Sequence, residues 1–452
     1  MSTKSVIRVS EFEKLYYDPE GVQPFRKKHW DALCIYLENI NKKEEKRVEY
    51  FRIINKGIQF TNFVGVIQAG NLTIEILPKI DKGSTIAANE SIETLDQQTA
   101  KEKSKWQKVL LNMLKECRLI RVHHVDYANL SLRSNSILDI YLELFLTEAE
   151  NLLREGLLKK YQKVEGNQTA LKGQIQFSRQ IAYNSIHQER FYVRSTEYNR
   201  NNIYNQIIYK ALCLIPRISR STYLLDKVGR LQLDYPAVSN CNVNEETFNH
   251  IQFDRKTDRY REALIISKML LLNFRPDITG GNENVLAILF DMNKLWEEFV
   301  YRQLKKEESN YQIQVLPQQF ENFWKPSNAI SSKTIRPDII LKYKSQERDY
   351  VTVLDTKWKV LVNMVPSDED LKQMFVYNLF WKCDKSVLLY PSTIPASGSG
   401  DYHYQVSYSN NNTCAIETIS VLDESTRELR TNLGEIILRA VIGKDRLSVL
   451  RK

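Results

Sequence analysis

Two short segments carry the residue types of a hydrolytic centre. Arg336-Pro337-Asp338 introduces the apolar run Ile339-Ile340-Leu341, and Tyr350-Val351-Thr352-Val353-Leu354 leads into Asp355-Thr356-Lys357. Alternate residues of an extended chain share a face, so Val351, Val353, Asp355 and Lys357 should point one way. A hairpin turning through Lys344 to Asp349 would bring Asp338 to the end where Asp355 lies. Two carboxylates at the end of a buried strand repel unless a cation sits between them, and oxygen ligands suit Mg²⁺ or Mn²⁺. A lysine two residues on can orient an attacking water or steady the charge of a phosphorane-like transition state. The chemistry this predicts is phosphodiester hydrolysis.

The spacing resembles the PD-(D/E)xK nuclease superfamily, with Asp338, Asp355 and Lys357 at the matching positions. That resemblance makes the three residues catalytic and the two aspartates metal ligands. Gln373 and Tyr377, at i and i+4 on one helical face, are similar to the QxxxY pattern of RecB-like members, where the pair positions DNA; the competing reading is an ordinary surface pair. In LFDMNKLWEEFV the apolar stripe is Met292, Leu295, Trp296 and Phe299, which leaves Glu297 and Glu298 on its flanks, and periodicity does not choose between them.

The elements that must position these residues follow from patterning. RIINKGIQFTNFVGVIQAGNLTIEILPKID alternates with period two and is punctuated by Gly57, Gly65 and Gly70-Asn71, which predicts tight turns and a hairpin from Val64 to Ile76. The polar stretch at about 82–104 reads as a mobile linker. Trp106, Val109, Leu110, Met113, Leu114 and Cys117 then recur with helical spacing behind a candidate cap at Ser104. Further helices are expected in SILDIYLELFLTEAENLLREG, ending at Gly156, in NIYNQIIYKALCLI, bounded by Pro216, and in TDRYREALIISKMLLLNF, bounded by Pro276. Between the first two lies an insertion that interleaves Lys and Arg with Tyr and Phe. The expectation there is a β-rich segment with its aromatics turned inward, although cations beside rings also suit nucleic acid. From 285 onward helix LFDMNKLWEEFVYRQLKKE, strands, helix DEDLKQMFVYNLFWK and further strands describe an α/β region. It closes on a helix opened by a capping box at Ser425 to Glu428 and carrying Leu429, Leu433, Ile436 and Ala440. The fold class is therefore α+β and multidomain: a β-rich region at 1–104, a mainly helical region at 105–284, and an α/β nuclease-like region at 285–452.

GVIQAGNLTIEILPKI, EGLLKKY, LKGQIQF, TEYNRNNIYNQIIYKAL, LFDMNKLWEEFV, RPDIIL and LDTKWK occur in the order found in the McrC family, which this chain resembles along nearly its whole length. The resemblance implies the nuclease subunit of a modification-dependent restriction system. Its C-terminal region would cut DNA with Mg²⁺. Its N-terminal region would dock into a ring of the AAA+ GTPase McrB and stimulate GTP hydrolysis. The family pattern aligns Glu297 with an acidic position that can complete a metal shell, the competing reading being a solvated glutamate. The hairpin at 65–80 is the expected docking segment, with Val66, Ile67, Ile74 and Ile76 in its core.

The remaining composition fits such a role. Formal charge is +9 over 452 residues, which favours a polyanionic partner. Gly443-Lys444 lacks the flanking residues of a P-loop, so no nucleotide is expected on this chain. Six scattered cysteines form no CxxC, and His123-His124, the only histidine pair, reads as structural. No apolar run is long enough to span a membrane, and the N-terminus has no signal-like core, so a cytoplasmic protein is expected. Two rival functions remain on this sequence: a stand-alone RecB-like repair nuclease, and a non-catalytic DNA-binding activator of a partner NTPase.

Overall fold

Strands Phe63–Ala69 and Leu72–Leu77 form the expected hairpin about Gly70-Asn71, and this hairpin is the middle of a larger sheet. The computed structural model describes residues 5–20, 24–41, 49–79, 92–117, 119, 136–275, 284–325, 327, 332–344, 348–361, 363–383, 385–403, 413–423 and 428–452. In the five-stranded sheet Ser5–Ser10 runs parallel to Leu72–Leu77, and Val285–Asp291 runs antiparallel to Phe63–Ala69. Gly65 is not the turn its sequence suggests. It lies mid-strand at φ +134°, where an added Cβ would stand 2.2 Å from the Ile288 carbonyl oxygen, so glycine is what lets the strand from residue 285 approach. Gly57 likewise opens a strand, Gly57–Phe60, and the left-handed residue of the turn before it is Lys56.

One expectation changes with this sheet. Leu289, Phe290 and Asp291 were expected to begin a helix, but they complete a strand; the helix is Met292–Glu307, with Asp291 as its N-cap. The hairpin at 65–80 holds Val66, Ile67, Ile74 and Ile76 in its core, as expected. Both of its strands are buried, Gln68 is bonded to the carbonyl of Ile218, and the turn residue Asn71 lies 3.1 Å from His29 Nε2.

Helix Ile92–Glu116 runs through much of the stretch expected as a linker, so Ser104 is a helix-interior residue and not a cap. Ile137–Arg154 is capped by Ser136 and stops at Gly156, which adopts φ +86°. In Ile203–Ile218, Pro216 sits inside the last turn instead of bounding the helix. Thr222–Asp234 and Arg261–Asn273 pack with these helices into a core continuous with both sheets. Pro276 and the His123-His124 pair lie outside the described residues.

The insertion is β-rich, as expected: Lys160–Gln168, Gln174–Ile175 and Phe191–Asn199 make a three-stranded sheet bearing the helix Phe177–Asn184. Most of its aromatics do not turn inward, although Phe191 and Tyr192 are half-buried. Tyr161, Phe177, Tyr183 and Tyr198 are exposed, because one short helix is too little to give this sheet a second layer.

The C-terminal sheet has six strands in the spatial order Ile313–Pro317, Ile339–Lys344, Asp349–Thr356, Lys385–Ser392, Thr413–Ser420 and Ala396–Asp401. The central pairs Asp349–Thr356 with Lys385–Ser392 and Lys385–Ser392 with Thr413–Ser420 are parallel; the outer pairs are antiparallel. Helix Asp368–Trp381 covers one face, and Met292–Glu307 with Leu433–Ile442 covers the other. The last two helices cross closely at Gly434, whose added Cβ would meet the Gln303 carbonyl oxygen at 2.4 Å. The final amphipathic helix begins at Leu433, not near 425. Leu429 precedes it in a bridge to Leu422, and residues 425–427 of the expected capping box lie outside the described residues. Among the described residues no helix is long and apolar enough to cross a membrane.

Candidate active site

The register of the hairpin decides the site. Ile339 pairs with Leu354, so Asp338, one residue before the first strand, falls beside Asp355, and Lys344 pairs with Asp349 at the turn end. Asp349–Thr356 is flanked by neighbours on both sides and buried on both faces. Val353 packs with Met374 and Tyr377 beneath helix Asp368–Trp381, and Leu354 packs into the core on the other face. Alternation therefore aims Asp355 at helix Asp368–Trp381.

Asp355 is 1% exposed, and its Oδ2 stands 2.7 Å from Lys357 Nζ without a directional hydrogen bond. Burial, reinforced by Asp338, pushes its carboxyl up to about 7 against the pull of Lys357. Burial also raises Asp338, opposed by hydrogen bonds that its Oδ2 accepts from the Thr356 backbone N–H (2.7 Å) and hydroxyl (2.8 Å). For Lys357, burial disfavours the charged form, but Asp355, Asp338 and Asp370 outweigh it and hold the ammonium above its usual range. One ammonium thus faces several carboxylates, an electrostatic setting that attracts a further cation.

Gln373 Oε1 accepts from Lys357 Nζ at 3.2 Å, and its Nε2 reaches Asp355 Oδ1 at 3.4 Å and the Tyr377 hydroxyl at 2.6 Å. Tyr377 is only 3% exposed and donates to the Arg336 carbonyl at 2.9 Å. The tyrosine anchors the chain entering Asp338, while the glutamine touches the acid and the lysine. Ser367 caps their helix, and Asp370 in its first turn pairs with Lys359 and lies 3.9 Å from Lys357.

The helix Met292–Glu307 separates the two glutamates that periodicity left level. Glu298 is tied along the helix to Arg302, with 2.5 Å between Nε and Oε1. Burial and then Asp338 raise the Glu297 carboxyl, whose Oε1 accepts from Gln318 Nε2 at 2.5 Å. Among the described residues no group of three or more acidic, histidine or cysteine side chains is close enough to hold a metal ion. The two aspartates nevertheless suit Mg²⁺, which commonly takes one or two protein carboxylates and fills its octahedron with water and substrate phosphate. The partly unsatisfied, buried Asp355 Oδ2 is the atom that argues for that fit.

Sequence reasoning missed two residues that hold this site. Gln318 joins Glu297 by its side chain and the Asp338 carbonyl by its backbone N–H, at 2.9 Å. Glu11, 2% exposed, accepts from the Trp358 indole N–H at 2.9 Å and from the Lys79 N–H at 3.0 Å. Trp358 follows Lys357 and packs on Trp296, which precedes Glu297, with ring centroids 5.5 Å apart. No linear pattern marks Glu11, because its partner lies more than three hundred residues away.

A chain of the Thermococcus gammatolerans assembly of McrB AAA+ hexamers with bound McrC shares this fold, at a TM-score of 0.67 and 19% identity over 97% of this chain and 99% of that one. The cryo-EM structure of the McrBC complex from the same organism gives a TM-score of 0.49 and 20% identity over 68% of this chain and 89% of that one. Among curated proteins, no relative matches this sequence. The family described as the McrBC 5-methylcytosine restriction system component matches residues 58–391, a span that includes Asp338, Asp355, Lys357, Gln373 and Tyr377, and this chain belongs to that family.

Proposed function

We propose that this chain is the DNA-cutting subunit of a GTP-dependent, modification-dependent restriction complex, built on a PD-(D/E)xK nuclease core. The observation that carries this reading is the hairpin register that sets Asp338 beside Asp355 with Lys357 Nζ 2.7 Å from the latter. Family membership supports the biological setting. Asp338 and Asp355 would hold Mg²⁺, or Mn²⁺ in its place, with Glu297 as a further ligand once released from Gln318. The metal would supply Lewis-acid polarisation of the scissile phosphate and a more acidic water. Lys357, charged and steadied by Gln373, would orient that water and offset the charge that develops on the phosphate. Tyr377 would act through Gln373 and Arg336, since its ring is buried.

The solved neighbour is an assembly of McrB AAA+ hexamers with bound McrC, which supports a ring-forming AAA+ partner here. The chain would stimulate that partner's GTP hydrolysis. The hairpin at 65–80 is buried within this chain, and an exposed surface suited to docking is the insertion, where Phe177, Ile181, Ile186, Lys172 and Arg179 are all exposed.

The test is cleavage of methylated and unmethylated plasmid by this chain with an McrB-like partner, GTP and Mg²⁺, beside Lys357→Ala. Methyl-dependent cutting that requires the partner, GTP and the lysine is the expected result. Cutting by the isolated chain would instead make it a stand-alone nuclease, and unimpaired cutting by Lys357→Ala would overturn the site.

A further inference from the structure

The two strands Glu321–Trp324 and Lys333–Ile335 form a short antiparallel ribbon that belongs to neither large sheet. It stands on the rim of the carboxylate site, and both of its legs are fastened there. On the entering leg, Gln318 bonds to the Asp338 carbonyl and to Glu297. On the leaving leg, the Arg336 carbonyl accepts from Tyr377, and Asp338 is two residues further on. The ribbon's placement is therefore set by the same groups that set the site.

Its surface is unusual for a solvated ribbon. Phe320 is 68% exposed, Phe323 50% and Trp324 56%. Phe323 lies 5.9 Å from Phe380, itself partly exposed on the helix that carries Gln373, so the aromatic strip continues onto the site helix. Lys325, Lys333 and Arg336 are exposed alongside, against one carboxylate, Glu321. Apolar rings left in water carry a free-energy cost, and cations interspersed among them match a partner with both π-faces and phosphates. A two-stranded ribbon also has the width to enter a DNA groove, where inserted rings can wedge against base steps.

We propose that this ribbon is a DNA-contacting element that grips the duplex next to the scissile phosphate. Trp324 and Phe320 meet bases or sugars, and Lys325, Lys333 and Arg336 meet the backbone. The inference rests on the nuclease reading of the adjacent site. The occupant is DNA and not protein because a phosphate reaching Asp338 and Asp355 must bring its flanking nucleotides past this rim, and the local charge is complementary to them.

The experiment measures binding of a fluorescein-labelled duplex across a salt series, with Ca²⁺ replacing Mg²⁺, by the full chain assembled with an McrB-like partner and a slowly hydrolysed GTP analogue. Phe320→Ala and Trp324→Ala should each weaken binding by about tenfold, and Trp324→Phe should restore most of the loss. Lys325→Gln with Lys333→Gln should lower the slope of log affinity against log salt by about 2. Partner GTP hydrolysis should stay stimulated in all of them. Unchanged affinity and slope would overturn the proposal. So would lost GTPase stimulation with intact duplex binding, which would make the ribbon a protein-docking surface. Lys357→Ala separates the two readings: cleavage surviving in that variant sinks the nuclease site and leaves the ribbon's DNA binding to be judged by its own variants.

Discussion

Two hairpins organise this molecule, and they spend the same kind of burial on different ends. Phe63–Leu77 and Ile339–Thr356 are each central in their sheets and packed on both faces. In the first, the demand for space is met by Gly65, and the buried charge of Glu75 is bonded to Arg8 and Gln107. In the second, an equally buried strand carries Asp355 one residue before its end, and this carboxylate keeps one oxygen without a directional hydrogen bond and faces a second carboxylate. A satisfied buried charge serves the fold, whereas an under-satisfied one costs stability and supplies reactivity.

The largest test of that contrast is functional. Asp355→Ala or Lys357→Ala should lower cleavage by at least about a thousandfold while partner GTPase stimulation survives, measured by plasmid cutting and phosphate release. Loss of both activities in a folded variant would mean that the hairpin also supports docking. The matching substitution in the first hairpin, Gly65→Ala, should destabilise by about 3 kcal/mol or more, since it combines a disfavoured φ with a backbone clash; a small shift in denaturation midpoint would refute the close approach.

A smaller effect has the opposite sign. The folded carboxyl of Asp355 lies near 7, above its ordinary value of 3.8, so the folded state takes up a proton as pH falls through that window. The contribution of this group to stability therefore declines as pH rises from about 4 to about 7, and Asp355→Asn should be more stable than wild type at pH 8 in metal-free buffer by about 1–3 kcal/mol, the gain shrinking at pH 4. Equal melting at both pH values would remove the idea of a strained carboxylate. For the same reason the Mg²⁺ needed for half-maximal cleavage should fall as pH is raised from about 6 to about 8.

The link between the two hairpins gives the finest test. Glu11 follows the strand paired with Leu72–Leu77, and through Trp358 it reaches the residue after Lys357. Glu11→Ala would leave the indole N–H without its acceptor and should cost about 1–3 kcal/mol, whereas Glu11→Gln keeps an acceptor and should stay close to wild type. If Trp358→Phe and Glu11→Ala lose cleavage additively, the bond between them is not what transmits the effect.

Local order made much of this legible. Alternation and turn spacing specify the hairpin around Asp338 and Asp355, because a strand's side chains have a strict period of two and the register follows from the turn. Helical periodicity likewise placed Gln373 and Tyr377 on one face, and they meet through a 2.6 Å hydrogen bond. What stayed hidden depended on partners distant in sequence. The end of the strand, Leu289 to Asp291, resembled the start of a helix until Phe63–Ala69 claimed it, and most aromatics of the insertion stay exposed because no second layer arrives to cover them. Nor could periodicity tell Glu297 from Glu298, which flank one stripe; only the packing of their helix against Asp338 distinguishes them. Sequence by itself determined the chemistry on offer, two carboxylates, a lysine and their shared strand end, since these follow from short-range geometry. Tertiary structure decided which groups surround them, because burial, field and the reach of Glu11 and Gln318 arise only when segments far apart in the chain are packed together.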